Sequence, residues 1–294
     1  MLPAKLLGWE PSNYDIYCQA YREFGGSVCS HPLVLKVLED SAPNQIQFFH
    51  KEVNGKIVGA FFADKRGEII HPYKKIPVIF ENIILPISST LGGCYLPAKS
   101  KELSIRHEKQ FLNYTYGMLN RRSICLVKDS FSKKTNKKRQ SEMNKFLNSG
   151  GEVVPISAFS SEQLSEIYIK LFNMRWGGTY HCSSIEKLAK FIASIRPLLF
   201  GNVLLYKGEP CAYDLIYQAE CDNWIYFDDH NGGVNTDIKD FSVGTLLLFA
   251  NINEARNLCH QKNKEFIFSL GRANDKWGYK KLWANEIKLG KIIF

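Results

Sequence analysis

The order of helix and strand patterns in the second half of the chain most constrains its fold. Strand-like apolar runs alternate along the chain with segments whose apolar residues recur at helical spacing. From residue 151 to the end, the order is β α α β β β α β α β. Local signals mark the boundaries, such as Ser160 before one helix and Lys207-Gly208 between two strands. This alternation predicts an α+β fold.

The first half shows a mixed α/β pattern with two helices and several strands. Asn54-Gly55 between two apolar runs predicts a hairpin, because this dipeptide suits a type I′ turn. The other predicted elements are a helix at Tyr14–Phe24, a short helix at Leu33–Leu38, and strands at Val78–Leu85 and Ser123–Lys128.

Several classes of protein are excluded by composition. Apolar runs reach only about six residues, whereas a membrane-spanning helix needs roughly 20. The N-terminus lacks the long apolar segment of a secretory signal. The eight cysteines form no CxxC pair and the seven histidines show no zinc spacing. We therefore expect a reduced, cytoplasmic protein with no metal site.

The positive charge is concentrated in one segment. The formal net charge is +9, and residues 131–150 contribute +5 of it, with six basic residues and one acidic residue. Five bases lie at the start of a predicted helix at Ser132–Ser149, where they oppose the helix dipole. They are Lys133, Lys134, Lys137, Lys138 and Arg139. The segment predicts binding to the phosphates of RNA, of a donor or of anionic lipid; the alternative is a solvated charged face.

Acidic residues on predicted strands are the candidate catalytic bases. Asp228, Asp229 and His230 follow an apolar run and are predicted to end a strand. Adjacent strand residues face opposite ways, so only one of the two acids can point into a cleft. Asp214 lies within another apolar strand. Asp229 or Asp214 could accept the proton of an amine; alternatively, these acids bind loop backbone or face solvent.

A polar, glycine-rich loop is predicted to follow Asp229 and to lead into a helix at Val243–His260. Free N–H groups at a helix start can bind an anion. The predicted donor-binding residues are Phe241, Ser242, Val243, Gly244 and Thr245. The alternative is an ordinary serine-capped helix start.

An aromatic and basic segment near the C-terminus supplies a candidate proton donor. Asn274–Trp283 is predicted to be a helix. Tyr279 could protonate a leaving thiolate, or it could simply pack at the rim of the core.

Five motifs carry a resemblance to a known family. They are SKKTNKKRQSEMNKFLNSGGEV, FNMRWG, CAYDLIYQAECDNWIYFDDHNGG, SVGTLLLFANINEAR and FSLGRANDKWGYKKLW. Together with GGSVCSHPLVLKVLE near the N-terminus, they resemble the FemAB-type branch of the GCN5-related N-acetyltransferase (GNAT) proteins. They are most similar to the Mig-fourteen (Mig-14) family of bacterial antimicrobial-peptide resistance proteins.

The resemblance implies a GNAT-like (acyl-CoA N-acyltransferase) fold in two tandem units, here residues 1–130, as a degenerate first copy, and residues 131–294. It implies transfer of an acyl or aminoacyl group to an amine, with acyl-CoA or aminoacyl-tRNA as donor and no tightly bound cofactor. It also implies a virulence role against cationic peptides at the inner membrane. The usual donor loop is reduced here to Ser242-Val243-Gly244-Thr245, so a different donor or lost activity is an alternative.

Two other functions stay open at this stage. One is a non-catalytic binding protein, peripheral on the anionic face of the inner membrane. The other is a nucleic-acid-binding regulator, although no helix-turn-helix pattern supports it and sequence-specific DNA binding is not expected.

Overall fold

The computed structural model describes residues 4–41, 43, 45–69, 76–115, 121–177, 183–274 and 278–292. The chain divides into two compact units. The first comprises Met1–Val127, Ala219–Tyr226 and Ser269–Phe294, and the second comprises Lys128–Gln218 and Phe227–Phe268. The split at residue 130 into two GNAT-like domains stays a prediction.

From residue 151 onward, the helices and strands follow the predicted alternation, with the short strand β8 added and two strands, β13 and β14, in place of one at the C-terminus. The helices are α1 Tyr14–Phe24, α2 Pro32–Ser41, α3 Lys133–Asn148, α4 Ser161–Trp176, α5 Ile185–Ser194, α6 Val243–Gln261 and α7 Lys280–Trp283. The strands are β1 Glu10–Ser12, β2 Gln47–Val53, β3 Lys56–Ala63, β4 Ser100–Leu103, β5 Tyr114–Thr115, β6 Ser123–Val127, β7 Gly151–Pro155, β8 Leu199–Phe200, β9 Asn202–Tyr206, β10 Glu209–Glu220, β11 Trp224–Val234, β12 Glu265–Arg272, β13 Ala284–Lys288 and β14 Gly290–Ile292.

The first unit contains two small sheets and a strand pair. β1, β2 and β3 form one sheet and β4, β14 and β5 another, while β6 pairs antiparallel with β13. Asn54 and Gly55, with φ of 52° and 73°, make the predicted hairpin turn between β2 and β3. Left-handed φ at both positions is what a type I′ turn requires.

The predicted strand at Val78–Leu85 is wrong. This segment is irregular, and Asn82 adopts a left-handed φ of 49° that interrupts an extended chain. Its apolar residues are still buried, because side chains replace the strand partner: Ile84 N donates to Ser27 Oγ at 3.0 Å, and Ser30 Oγ donates to Ile84 O at 2.6 Å.

The second unit is built on strands in the order β12-β11-β10-β9-β7. Helices α3 and α6 pack their apolar residues with β9 and β10 in one core cluster, which includes Phe146, Leu204 and Leu247. Tyr168 of α4 and Phe191 of α5 pack against β10 through Tyr213 and Tyr217. Side chains cap α3 and α4 at Ser132 and Ser160, as predicted.

The glycine-rich segment after Asp229 is a strand, not a loop, so this prediction is wrong. β11 continues to Val234. Its glycines are needed for close packing rather than for a turn. A Cβ on Gly233 would lie 2.4 Å from the backbone of α4 at Phe172 N, and a Cβ on Gly232 would lie 1.7 Å from Asp214 Oδ1. The acids therefore lie within the strand, and only the stretch from Asn235 to Ser242 connects it to α6.

Candidate functional site

Two acids of the second unit lie close together on neighbouring strands. Asp214 of β10 is buried, with 8% of its surface exposed, and Asp229 of β11 is half-buried. Burial raises the pKa of Asp214 well above its ordinary value, the charge of Asp229 raises it further, and the charge of Arg175 lowers it. The structure thus brings together the two predicted bases and adds a guanidinium that the sequence analysis did not select.

The end of α4 holds this guanidinium beside the strand. Arg175 Nη1 and Trp176 Nε1 both donate to the carbonyl oxygen of Gly232, at 3.3 and 3.1 Å. The guanidinium lies 4.4 Å from the centroid of the Trp176 ring, a cation–π distance. Because Gly232 has no side chain, the Asp214 carboxyl can occupy the space next to it.

Two aromatic side chains, Tyr217 and His230, also belong to this unit. Burial raises the pKa of Tyr217 and lowers the pKa of His230 to about 4. The two rings lie 6.4 Å apart, and His230 Nδ1 has no hydrogen-bond partner in the part of the chain that the structure describes. His230 is therefore neutral at physiological pH and offers no imidazolium proton to a reacting group.

This arrangement is suited to proton transfer. A carboxyl group with a raised pKa gives and takes a proton nearer to neutral pH than an exposed aspartate does. A second carboxylate and a guanidinium beside it adjust that pKa in opposite directions. A cluster of this kind is a candidate for general acid–base catalysis.

The predicted donor-binding residues lie at the start of α6. Ser242 precedes the helix but does not cap it with its side chain; instead Ser242 Oγ donates to Thr245 Oγ1 at 3.0 Å. Val243 is buried in the core cluster, and Phe241 packs against it beside Phe146 and Tyr206. A Cβ on Gly244 would lie 3.1 Å from Val234 Cγ1, so this glycine allows close packing. Anion binding here stays a prediction.

The basic residues lie on the first half of α3. Lys138 and Arg139 pair with Glu142, at 4.0 and 2.7 Å. Lys133, Lys134 and Lys137 are exposed and form no ion pair with any described residue. The predicted anion-binding set therefore divides into two bases that share one carboxylate, Glu142, and three exposed lysines without an ion pair among the described residues.

Tyr279 belongs to the first unit. It directly precedes α7 and is 44% exposed. The predicted helix at Asn274–Trp283 is shorter in the structure, since α7 begins at Lys280; residues 275–277 lie outside the described residues. The role of Tyr279 as a proton donor stays a prediction.

Comparison with known proteins shows the family and the fold. A family model described as Mig-14 matches residues 31–292. The chain belongs to the Mig-14 family. No curated protein sequence matches the chain. A crystal structure of FemX is similar over 97% of this chain and 97% of its own, at 8% identity and a TM-score of 0.59.

Two further solved structures resemble this Mig-14 family member more weakly. A tandem GNAT protein from the clavulanic acid biosynthesis pathway matches over 97% of this chain and 96% of its own, with 9% identity and a TM-score of 0.43. L-PGS from Bacillus licheniformis matches over 96% and 91%, with 16% identity and the same TM-score. The FemX likeness confirms the predicted α+β, acyltransferase-like fold.

Two features of the site escaped the sequence analysis of this Mig-14 family member. Arg175 stood within the FNMRWG motif without an assigned role, and Gly232 counted as part of a loop. The available signal was an arginine–tryptophan pair at the end of an amphipathic helix, followed much later by two adjacent glycines.

Among the described residues, no helix is long and apolar enough to span a bilayer, and no group of His, Cys, Asp and Glu could hold a metal ion.

Proposed function

We propose that the second unit transfers an acyl or aminoacyl group to an amine, with acyl-CoA or aminoacyl-tRNA as donor. The observation that carries this proposal is the buried carboxyl of Asp214 beside Asp229 and Arg175, in a chain with the fold of FemX. Such a group can take the proton that the amine nitrogen must lose.

The reaction forms one bond, breaks another and removes a proton from the amine nitrogen. The amine nitrogen attacks the acyl carbon, a C–N bond forms, and the C–S or C–O bond to the donor breaks. The proton released from nitrogen passes to the carboxylate of Asp214 or Asp229. The departing thiolate or alkoxide takes up a proton from solvent water.

The start of α6 is the proposed contact for the donor. Ser242 leaves the first-turn N–H groups of α6 without a side-chain cap. Uncapped N–H groups and the positive end of the helix dipole favour a phosphate or a developing oxyanion. Gly244 would allow such a group to approach the backbone.

The biological role that we propose is resistance to cationic antimicrobial peptides. It rests on the Mig-14 family and on the chemistry of the reaction. Transfer of an acyl group to a lysine amine removes its positive charge, so a peptide modified in this way would be attracted less strongly to an anionic membrane; an aminoacyl group would bring a new ammonium group, so this role applies to acyl transfer.

A transfer assay tests the enzymatic part. The purified protein is incubated with a cationic peptide and either acyl-CoA or aminoacyl-tRNA, and the mass of the peptide is then measured by mass spectrometry. We expect a mass increase that is lost in Asp214→Asn and kept in Asp222→Asn, which replaces an exposed acid of the turn before β11. The enzymatic proposal fails if neither donor yields product and neither raises the melting temperature at about 100 times a plausible Kd, where binding adds about 2.7 kcal/mol.

The exposed lysines of α3 favour a second candidate, a non-catalytic protein bound to an anionic membrane surface. Each lysine near such a surface contributes about 1 kcal/mol. Flotation with anionic vesicles should be lost when Lys133, Lys134 and Lys137 are replaced by Gln. Flotation that survives this change would reject the candidate.

A further inference from the structure

A cleft of about 380 Å³ lies between α3 and α6 in the second unit. Three side chains of each helix line it. They are Asn136, Lys137 and Gln140 from α3, and Phe249, Asn253 and Arg256 from α6. The lining therefore offers two cations, three amides and one aromatic ring, and it contains no acid.

Arg256 is held in a fixed position in this cleft. Its guanidinium lies 4.3 Å from the centroid of the Phe131 ring and 5.4 Å from that of Phe266. Nη2 donates to the carbonyl oxygen of Lys128. Nε is buried and has no hydrogen-bond partner among the described residues. A buried N–H without a partner is costly, and a ligand oxygen that reached Nε would remove this cost.

The charges around Arg256 also favour an anion. Burial lowers the pKa of Arg256, and the charge of Asp129 only partly opposes this effect. Lys137, on the facing helix, forms no ion pair with any described residue, whereas the adjacent Lys138 and Arg139 share Glu142. Two cations thus meet across the cleft without an acid in its lining.

The amide groups add neutral donors. Asn136 Nδ2 donates to Phe131 O at 3.3 Å, and Gln140 Nε2 donates to Asn144 Oδ1 at 3.0 Å. Each amide nitrogen carries two hydrogens, so each keeps one for a ligand. Donors arranged around two cations suit a phosphate, which accepts through several oxygens and pairs well with a planar guanidinium.

We propose that the cleft between α3 and α6 binds a phosphate group of a small molecule or of a lipid headgroup. Its volume lies at the lower end of the roughly 300–1,000 Å³ of small-ligand sites. The bound phosphate is therefore attached to a further group, which Phe249 and the amides contact. This site uses none of the acids proposed for acyl transfer, so it and the enzymatic proposal can fail separately; it shares Lys137 with the membrane-binding candidate.

Binding of two probes tests the proposal. Pyrophosphate is titrated into the full-length protein by calorimetry, and flotation is measured with vesicles of phosphatidylcholine alone or mixed equally with phosphatidylglycerol. We expect Lys137→Gln and Arg256→Lys each to weaken binding by about tenfold or more, since each removes one charge-assisted or planar contact. Lys145→Gln, an exposed change on the same helix outside the cleft, should alter binding less than twofold.

The outcomes separate the two sources of phosphate. Pyrophosphate binding that is lost in Lys137→Gln supports a soluble phosphate ligand. Flotation only with phosphatidylglycerol, lost in the same variant, supports a lipid headgroup. The proposal is overturned if neither probe binds, or if Lys145→Gln weakens binding as much as Lys137→Gln. Because Lys137 is exposed, its replacement should not disturb folding, and circular dichroism checks this.

Discussion

Each unit of the protein contains carboxyl groups close to guanidinium groups, but the two clusters differ in their ratio of acidic to basic groups. In the first unit, Glu81 and Glu102 meet Arg122 and Arg272. In the second unit, the charges of Asp229 and Arg175 act on Asp214 in opposite directions. Of the groups named here, the first cluster has two acids and two bases, and the second has two acids and one base. We infer that a cluster with equal numbers of acids and bases holds strands together, whereas an acid-rich cluster, with more acids than bases, retains a carboxyl group that can bind a proton.

The hydrogen bonds support this distinction. Arg272 donates to Glu102 Oε1 at 2.9 Å and to Glu81 Oε1 at 3.0 Å, and Arg122 donates to Glu102 as well. These bonds join Glu102 of β4 to Arg272 of β12 and to Arg122, which directly precedes β6, within the first unit. In the second unit, Arg175 instead donates to the backbone oxygen of Gly232 and acts on Asp214 through its charge.

Replacement of Asp214 by Asn gives the largest effect that we expect. The amide cannot accept the amine proton, so the rate of acyl transfer should fall by about 10²–10⁴-fold. The measurement is kcat at neutral pH. Glu102→Gln in the first unit should leave kcat within about threefold, because we assign that cluster no proton transfer. Equal losses of rate in both variants would break the comparison.

Removal of the Glu102 carboxylate should mainly affect stability. Its side chain is 6% exposed, while Arg122 and Arg272 are 37% and 43% exposed. Glu102→Ala removes the carboxylate that both guanidinium groups share, and we expect the free energy of unfolding to fall by about 2 kcal/mol. A fully buried pair would lose about 3–5 kcal/mol, but water screens these guanidinium groups. Urea denaturation measures the change, and a loss below about 0.5 kcal/mol would show that the cluster is not structural.

The fold was predictable where local signals decide it. Asn54-Gly55 and Lys207-Gly208 adopt left-handed φ and form their predicted turns, and α1 has its predicted bounds. Asp214 and Asp229 were predictable as acids on apolar strands. Their contact with Arg175 was not, since Arg175 is 39 residues before Asp214 in the sequence and only tertiary packing brings α4 to the strand. Gly232 was misassigned because its role depends on a side chain from another strand.

A methyl group at Gly232 should disturb the acid-rich cluster directly. In Gly232→Ala, the new Cβ would lie 1.7 Å from Asp214 Oδ1, so the carboxyl must move. We expect a loss of about 1–2 kcal/mol in the free energy of unfolding, typical of crowding in a packed site, together with a lower rate of transfer. Gly92→Ala is the matched control, because its Cβ would meet only Lys109 O, at 3.9 Å. Unchanged activity in Gly232→Ala would show that the position of Asp214 is unimportant for transfer.

The pH dependence of stability gives the finest test of the comparison. Burial and the charge of Asp229 raise the pKa of Asp214 above its ordinary 3.8. A group whose pKa is raised by folding stabilises the native state fully below its unfolded pKa, and this contribution is lost as the pH rises through the folded pKa. Asn carries no charge at any pH. As the pH rises above 3.8, the unfolding free energy of Asp214→Asn should therefore increase relative to that of the wild type. The increase is about 1.4 kcal/mol for each unit between the folded and unfolded pKa values.

A series of denaturation curves between pH 4 and 8 measures this difference. The histidines His31, His107 and His230, whose pKa values burial lowers to about 4, are present in both proteins. Glu162→Gln gives the opposite sign, because bonds to its own backbone and to Ser160 lower the pKa of Glu162, so its contribution is lost as the pH falls. Parallel curves for Asp214→Asn and the wild type would show that Asp214 is as well neutralised as the acids of the first unit, and the contrast between the two clusters would then disappear.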